Sequence, residues 1–162
     1  MISVALRLSV RNLKPEDLPQ CTWAGSSLHL AGVARQLERA SKGDVDYLVV
    51  CTPTGLPIAK GGVDYRVKEG AGTLWQLAVH PALQSCGIGT VLVGAAEQRV
   101  RDRGLRYAEL SVEDSNPRAR ALYARLGYTA YDRQPDSWDE QGFDGSLRRR
   151  ETMCTLMRKI LH

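Results

Sequence analysis

The sequence is poor in several of the residues that usually announce a function. It has one phenylalanine, aromatics at only 6%, three histidines and four cysteines in 162 residues. The cysteines (Cys21, Cys51, Cys86, Cys154) are scattered, with no C-x-x-C pair. That argues against a disulfide framework and against zinc, so no metal is expected. A reducing, cytoplasmic setting is the default for such a chain. No stretch approaches the ~20 apolar residues of a membrane-spanning helix. Met1 to Arg7 shows no basic start followed by a long apolar run, so neither a membrane partner nor a secretory leader is expected. An excess of one charge is also missing. Lys+Arg number 22 and Asp+Glu 18, leaving +4. This is too mild for a nucleic-acid surface and compatible with an anionic small molecule. Arg148-Arg149-Arg150 reads as a solvated segment ahead of the last strand. No repeat or linker divides the chain, and its length suits one domain, residues 1–162.

Periodicity supplies the elements. Val4, Leu6, Leu8 and Val10 alternate with polar residues, which predicts a half-buried strand over 4–11. Pro15 near a first turn predicts a short helix, and a second is expected from about Leu28 to Ser41. Asp46–Thr52, Ile58–Val67 and Thr73–His80 read as strands joined by glycine turns. Ile88, Leu92, Ala96 and Val100 recur every four residues, predicting an amphipathic helix over 90–103 that stops at Gly104. Tyr107–Glu113 is a further strand. Asn116 and Pro117 open a short helix with the stripe Ala119, Leu122, Tyr123, Leu126. Tyr128–Arg133 and Glu151–Ile160 read as closing strands, with residues 134–150 as a polar loop between them.

The most informative run is Gln84-Ser85-Cys86-Gly87-Ile88-Gly89, set between a strand and a helix. Glycines at a helix start let the backbone approach a ligand closely, and the first helical N–H groups point outward into the positive end of the dipole. Such a turn suits phosphate. A P-loop would need lysine where Thr90 stands, and a dinucleotide fingerprint fails at Leu92. The pattern Q/R-x-x-G-x-G/A of acyl-CoA pyrophosphate loops is met by Gln84, Gly87 and Gly89.

Leu77 to Gly89 resembles the central motif of the GNAT superfamily of N-acetyltransferases. Asn116 to Tyr123 and Leu126-Gly127-Tyr128 resemble its second motif. The two blocks cover residues 73–131, about a third of the chain. The resemblance implies an α/β GNAT fold: a mixed central sheet of six to seven strands, about four flanking helices, and a splayed strand pair forming an acyl-CoA cleft. It implies an acetyl-CoA-dependent transfer to a primary amine of a small molecule or peptide. A non-catalytic acyl-CoA-binding or regulatory domain of the same fold is the alternative. Homodimers are common in the family, and nothing in the sequence specifies one.

The resemblance also distributes roles. Backbone groups of Leu77, Ala78 and Val79 would hold the pantetheine arm and polarise the thioester. Backbone N–H groups of Gln84, Ser85, Cys86, Gly87, Ile88, Gly89 and Thr90 would hold the pyrophosphate. Asn116 would cap its helix and reach the cofactor arm. Tyr123, seven residues on, would be the general acid and touch the cofactor. The two positions where family members carry a glutamate base are Ser111 and Thr73 here. A water relay to Glu113 or Glu109, which share strand parity with Ser111, is one substitute; Asp136, Asp139, Glu140 or Asp144 is another. Trp23, Trp75 and Trp138 are candidates for an acceptor pocket, Trp75 first because it shares parity with Leu77 and Val79. His29 carries no recognisable context, and His80 reads as a turn residue.

Overall fold

The computed structural model describes residues 1–162. In chain order it contains β1 (Ser9–Asn12), 3₁₀ turns at Pro15–Gln20 and Thr22–Ala24, α1 (Ser27–Ser41), β2 (Val45–Cys51), β3 (Pro57–Asp64), β4 (Ala71–Val79) and a 3₁₀ turn at Pro81–Leu83. Then come α2 (Ile88–Asp102), β5 (Tyr107–Glu113), α3 (Pro117–Arg125), β6 (Thr129–Gln141) and β7 (Leu147–Ile160). The seven strands form one mixed sheet in the order β1-β2-β3-β4-β5-β7-β6. Every neighbouring pair is antiparallel except β4 and β5, which run parallel. This is the α/β architecture expected from the sequence. No helix is long and apolar enough to cross a membrane.

Two cores sit on opposite faces of the sheet. On one face α2 buries Ile88, Leu92, Val93, Ala96 and Val100 against Leu48, Val63, Leu74 and Leu110. On the other, α1 and the first 3₁₀ turns cover Val45, Tyr47, Val49 and Cys51 with Val33, Leu13 and Cys21. The strand-by-strand alternation of β2 therefore feeds both cores, which is why it is buried almost throughout.

Three expectations are corrected. Residues 1–8 form no regular structure; only Ser9–Asn12 pairs, with Cys51 to Leu48 of β2. β2 ends at Cys51, the chain turns away at Thr52–Gly55, and no ladder remains for Val4 and Leu6, which are exposed. The polar loop foreseen over 134–150 is mostly strand. β6 and β7 pair all the way to Gln141 and Leu147, leaving a short turn at 142–146. Its residues are polar because both faces of this hairpin meet water along most of its length.

The third correction lies in β4. Lys60 pairs with Ala78 and Gly62 with Trp75, so Gln76 and Leu77 together face the single residue Gly61. This is a β-bulge, and Gln76 takes φ +54°. A bulge reverses side-chain parity. Trp75 therefore packs edge-on against Tyr47 on the α1 face, while Leu77 and Val79 pack on the α2 face. The parity assumed for these three residues does not hold.

Candidate active site

β4 and β5 pair only over Ala71–Leu74 and Tyr107–Leu110. Beyond those residues β4 continues to Val79 and β5 to Glu113 without pairing, and a wedge opens between them. The His80 N–H donates to Ile58 O of β3 at 2.8 Å. Alternation along the strand turns Ala78 the same way and directs the backbone of Leu77 and Val79 into the wedge.

A cleft of about 620 Å³ fills the wedge. Leu77, Ala78 and Val79 form one wall, and Asn116, Arg118, Leu122 and Arg125 the other. Gln84, Ser85, Gly87, Gly89 and Thr90 close its end. Ser85 (φ +63°) and Gly87 (φ +84°) bend the backbone so that α2 starts at the cleft floor. The N-cap Gly87 offers no side chain to the first N–H groups of α2, which stay available to a ligand. Two guanidinium-bearing side chains, Arg118 and Arg125, line the same space. This donor set fits an anionic, phosphate-bearing cofactor such as a coenzyme A thioester.

A second cavity of about 970 Å³ continues from it, and the two share Ala24, Leu77, Asn116 and Ala119. Its walls come from α1 (Leu28, His29, Gly32, Arg35), β4 (Thr73 to Leu77), β5 (Leu110 to Glu113) and the β6–β7 hairpin (Asp136, Trp138 to Gln141). Gln141 Oε1 fastens the hairpin to α1 by accepting from Ser27 Oγ at 3.0 Å and the Leu28 N–H at 3.3 Å. Arg150 donates to Glu113 Oε1 at 2.9 Å and lies over the Trp138 ring. Asp139 pairs with Arg149, and Glu140 with Arg150. Asp136 accepts only from the Ser137 N–H next to it, so its charge faces the cavity without a cation.

The Acetyltransferase (GNAT) family model matches residues 17–128. The chain belongs to the GNAT acetyltransferase family. A mycothiol acetyltransferase from Beutenbergia cavernae is 43% identical over 58 residues, 36% of this chain and 20% of the relative's own length. The ribosomal-protein-S18-alanine N-acetyltransferase from Escherichia coli shares the fold, with TM-score 0.68 and 22% identity over 96% of this chain and 94% of that one. So does the PaiA N-acetyltransferase from Thermoplasma acidophilum in complex with coenzyme A, with TM-score 0.68 and 15% identity over 95% and 99%.

In this GNAT domain most residues singled out from the sequence converge. Leu77, Ala78, Val79, Gln84, Ser85, Gly87, Gly89, Thr90 and Asn116 all line the cleft. Asn116 Oδ1 caps α3 by accepting from the Ala119 N–H at 3.1 Å. Three placements differ. The Ile88 side chain is buried in the α2-face core, so only its backbone is near the cleft. Cys86 is exposed outside the lining, its thiol near Gln84 O. Tyr123 lines the second cavity rather than the cleft, its ring edge-on to Tyr128 at 6.1 Å. Burial alone pushes its hydroxyl above the ordinary range, so it stays protonated at neutral pH. His80 caps the 3₁₀ turn through Nδ1, as a turn residue should. Trp75 and Trp138 line the second cavity, whereas Trp23 lines the cleft.

The acidic candidates separate. Glu109 is outside both cavities and 4% exposed, taken up by Lys68, Arg158 and Tyr131. Burial pushes its carboxyl up, but hydrogen bonds from Tyr131, Arg158 and Lys68 outweigh this and hold it below the usual carboxylate range. It cannot relay a proton to the site. Asp144 is spent on Ser146 at the hairpin turn. Glu113, Asp136, Asp139 and Glu140 do line the second cavity, as do Ser111 and Thr73.

Sequence reasoning missed three contributors. Arg118 and Arg125 of α3 line the cleft, and Arg118, two residues after Asn116, was a usable signal. His29 lines the second cavity, and its Nε2 is buried without a hydrogen-bond partner. Burial, and then the charge of Lys60, push its imidazole below the usual range. Nothing in the spacing around His29 marked it.

Proposed function

We propose that this domain is an acetyl-CoA-dependent N-acetyltransferase that transfers acetyl directly to a primary amine. The observation that carries the reading is the meeting of two cavities at Leu77 and Asn116, one fitted to a phosphate-bearing cofactor and one walled by carboxylates. When bound, acetyl-CoA supplies an activated acyl group. The chain's part is positioning and proton management. The α2 N-terminus, Arg118 and Arg125 hold the pyrophosphate, and the Leu77 and Val79 backbone aligns the arm and donates to the acyl carbonyl. Alignment of this kind lowers a bimolecular barrier by several kcal/mol.

The amine nitrogen bonds to the acyl carbon as the C–S bond breaks. Tyr123 Oη gives its proton to the leaving sulfur. The cationic amine sheds two protons in becoming an amide: the first passes through water to Glu113, whose Oε2 is left over once Oε1 has accepted from Arg150, and the second returns to the Tyr123 oxygen. Asp136 and Asp139 draw the cationic amine in. The four free thiols suit a cytoplasmic setting.

Thr73 and Ser111, standing where a glutamate base would, favour a second reading, an acyl-CoA-binding domain without turnover. Free-thiol release from acetyl-CoA separates the two. Amino acids, polyamines, aminoglycosides and peptides with free N-termini or lysines serve as acceptors, run with wild type and Tyr123→Phe. Amine-dependent release that falls about 100-fold in the variant, with CoA affinity kept, is expected for a general acid. Tight CoA binding without release from any amine supports the second reading.

A further inference from the structure

Lys60 is the least expected side chain in the protein. It lies in the middle of β3 and is fully buried, yet no carboxylate acts on it. An unpaired buried ammonium is unfavourable, and a strand with only a packing task is better filled by methionine. Lys60 Nζ donates to Tyr47 Oη at 2.9 Å and to the Gln76 carbonyl oxygen at 3.2 Å. Tyr47 Oη in turn donates to Gln76 Oε1 at 2.8 Å. Both ends of Gln76 are therefore gripped from below, and this is the bulge residue whose positive φ a non-glycine rarely adopts.

The Gln76 carbonyl belongs to the same peptide unit as the Leu77 N–H. In a planar trans peptide the two point in opposite directions. A cation on the oxygen lies behind the N–H, and hydrogen-bonded amides polarise one another, so the N–H becomes a stronger donor. We propose that Lys60 is a positioning residue for acyl transfer: its ammonium locks the β4 bulge and polarises the Gln76–Leu77 peptide, strengthening the Leu77 N–H as donor to the acyl carbonyl. This rests on the acetyltransferase reading above and adds a residue that lies outside both cavities.

The groups packed around the ammonium carry no countercharge. Burial holds the Tyr47 hydroxyl of β2 and the Cys21 thiol of the 3₁₀ segment in their protonated forms, and holds His29 of α1 neutral. Burial also pushes Lys60 itself down to about 8, so its charge is present at pH 7 and is lost as the pH rises through that value.

The test pairs an NMR titration with kinetics, using wild type, Lys60→Met and Tyr47→Phe. In the wild type the Gln76 carbonyl carbon and Leu77 amide nitrogen should shift together with a midpoint near 8. That transition should vanish in Lys60→Met and persist in Tyr47→Phe, which keeps the ammonium–carbonyl contact. Lys60→Met should lower kcat roughly tenfold, less than loss of a direct oxyanion donor, with the Kd for CoA unchanged. The wild-type kcat should decline above pH 8, and Lys60→Met should lack that decline. A wild-type Gln76 carbonyl that does not titrate overturns the proposal, whether or not the methionine variant folds. So does an unchanged kcat, or a kcat loss matched by an equal loss of CoA affinity. A titrating peptide in a wild type with no turnover sinks the acetyltransferase reading and leaves the polarised peptide standing.

Discussion

Glu109 and Glu113 lie four residues apart on β5, and their surroundings give them different work. Glu109 is enclosed by Lys68, Arg158 and Tyr131; Glu113 meets Arg150 with one oxygen and faces the second cavity with the other. Glu109→Gln leaves two cations without their partner. Because Lys68 and Arg158 are 38% and 45% exposed, water screens part of the loss, and about 2 kcal/mol of destabilisation is expected rather than the full value of a buried pair. The folded carboxyl binds its proton more weakly than the reference value of 4.5, so its stabilisation is present above that pH and is lost as pH falls below it. Denaturant titrations of wild type and Glu109→Gln should thus converge as the pH falls below 4.5, with kcat unaffected at neutral pH. Glu113→Gln should do the reverse, lowering kcat at least tenfold while moving stability little. Equal kinetic losses in both variants would remove Glu113 from the proton path.

At the scale of elements, the sequence was legible wherever one periodicity ran uninterrupted. β2, β5 and α1 lie within a residue or two of their expected bounds, and α3 starts at the expected Asn116-Pro117 cap, because apolar patterning and capping are local signals. It was illegible where a long-range partner decides. Val4 and Leu6 alternate like a strand but have no neighbour to pair with. The hairpin at 134–150 looks like a loop because its stability comes from cross-strand pairing, not from an apolar face. The β4 bulge was hidden because it depends on Gly61 across the ladder. A Cβ added there would come within 2.4 Å of Leu77 Cδ2 and 3.2 Å of Leu77 Cα. Gly61→Ala should therefore push β3 and β4 apart at the bulge and lower stability by about 1–3 kcal/mol. It should reduce kcat more than a substitution elsewhere in β3 of equal stability cost. Wild-type kcat in a folded Gly61→Ala protein would show that bulge geometry does not limit the reaction.

At the scale of the molecule, the sheet is two halves joined at few points. β1–β4 with α1 and α2 form one, β5–β7 with α3 the other, and the strands between them pair only at Ala71–Leu74. The open wedge forms the cleft, but it also leaves the second cavity to be closed by something that reaches across. That is the β6–β7 hairpin, latched to the start of α1 through Gln141. The latch is two hydrogen bonds from a side chain, so loosening it should not unfold the protein. Gln141→Ala is expected to raise KM for the amine several-fold, leave CoA affinity intact, and speed amide exchange in β6 and β7 beyond Asp136. The same hairpin carries Asp136 and Asp139, which line the second cavity. Asp136→Asn with Asp139→Asn should raise KM for a cationic amine and flatten its dependence on salt, since exposed charges act through a screened field. If the hairpin only covers the cavity, Gln141→Ala alone should change KM and the double asparagine variant should not. If it only supplies charge, the reverse should hold. Changes in both place acceptor selection on one mobile arm that must close before its carboxylates are in range.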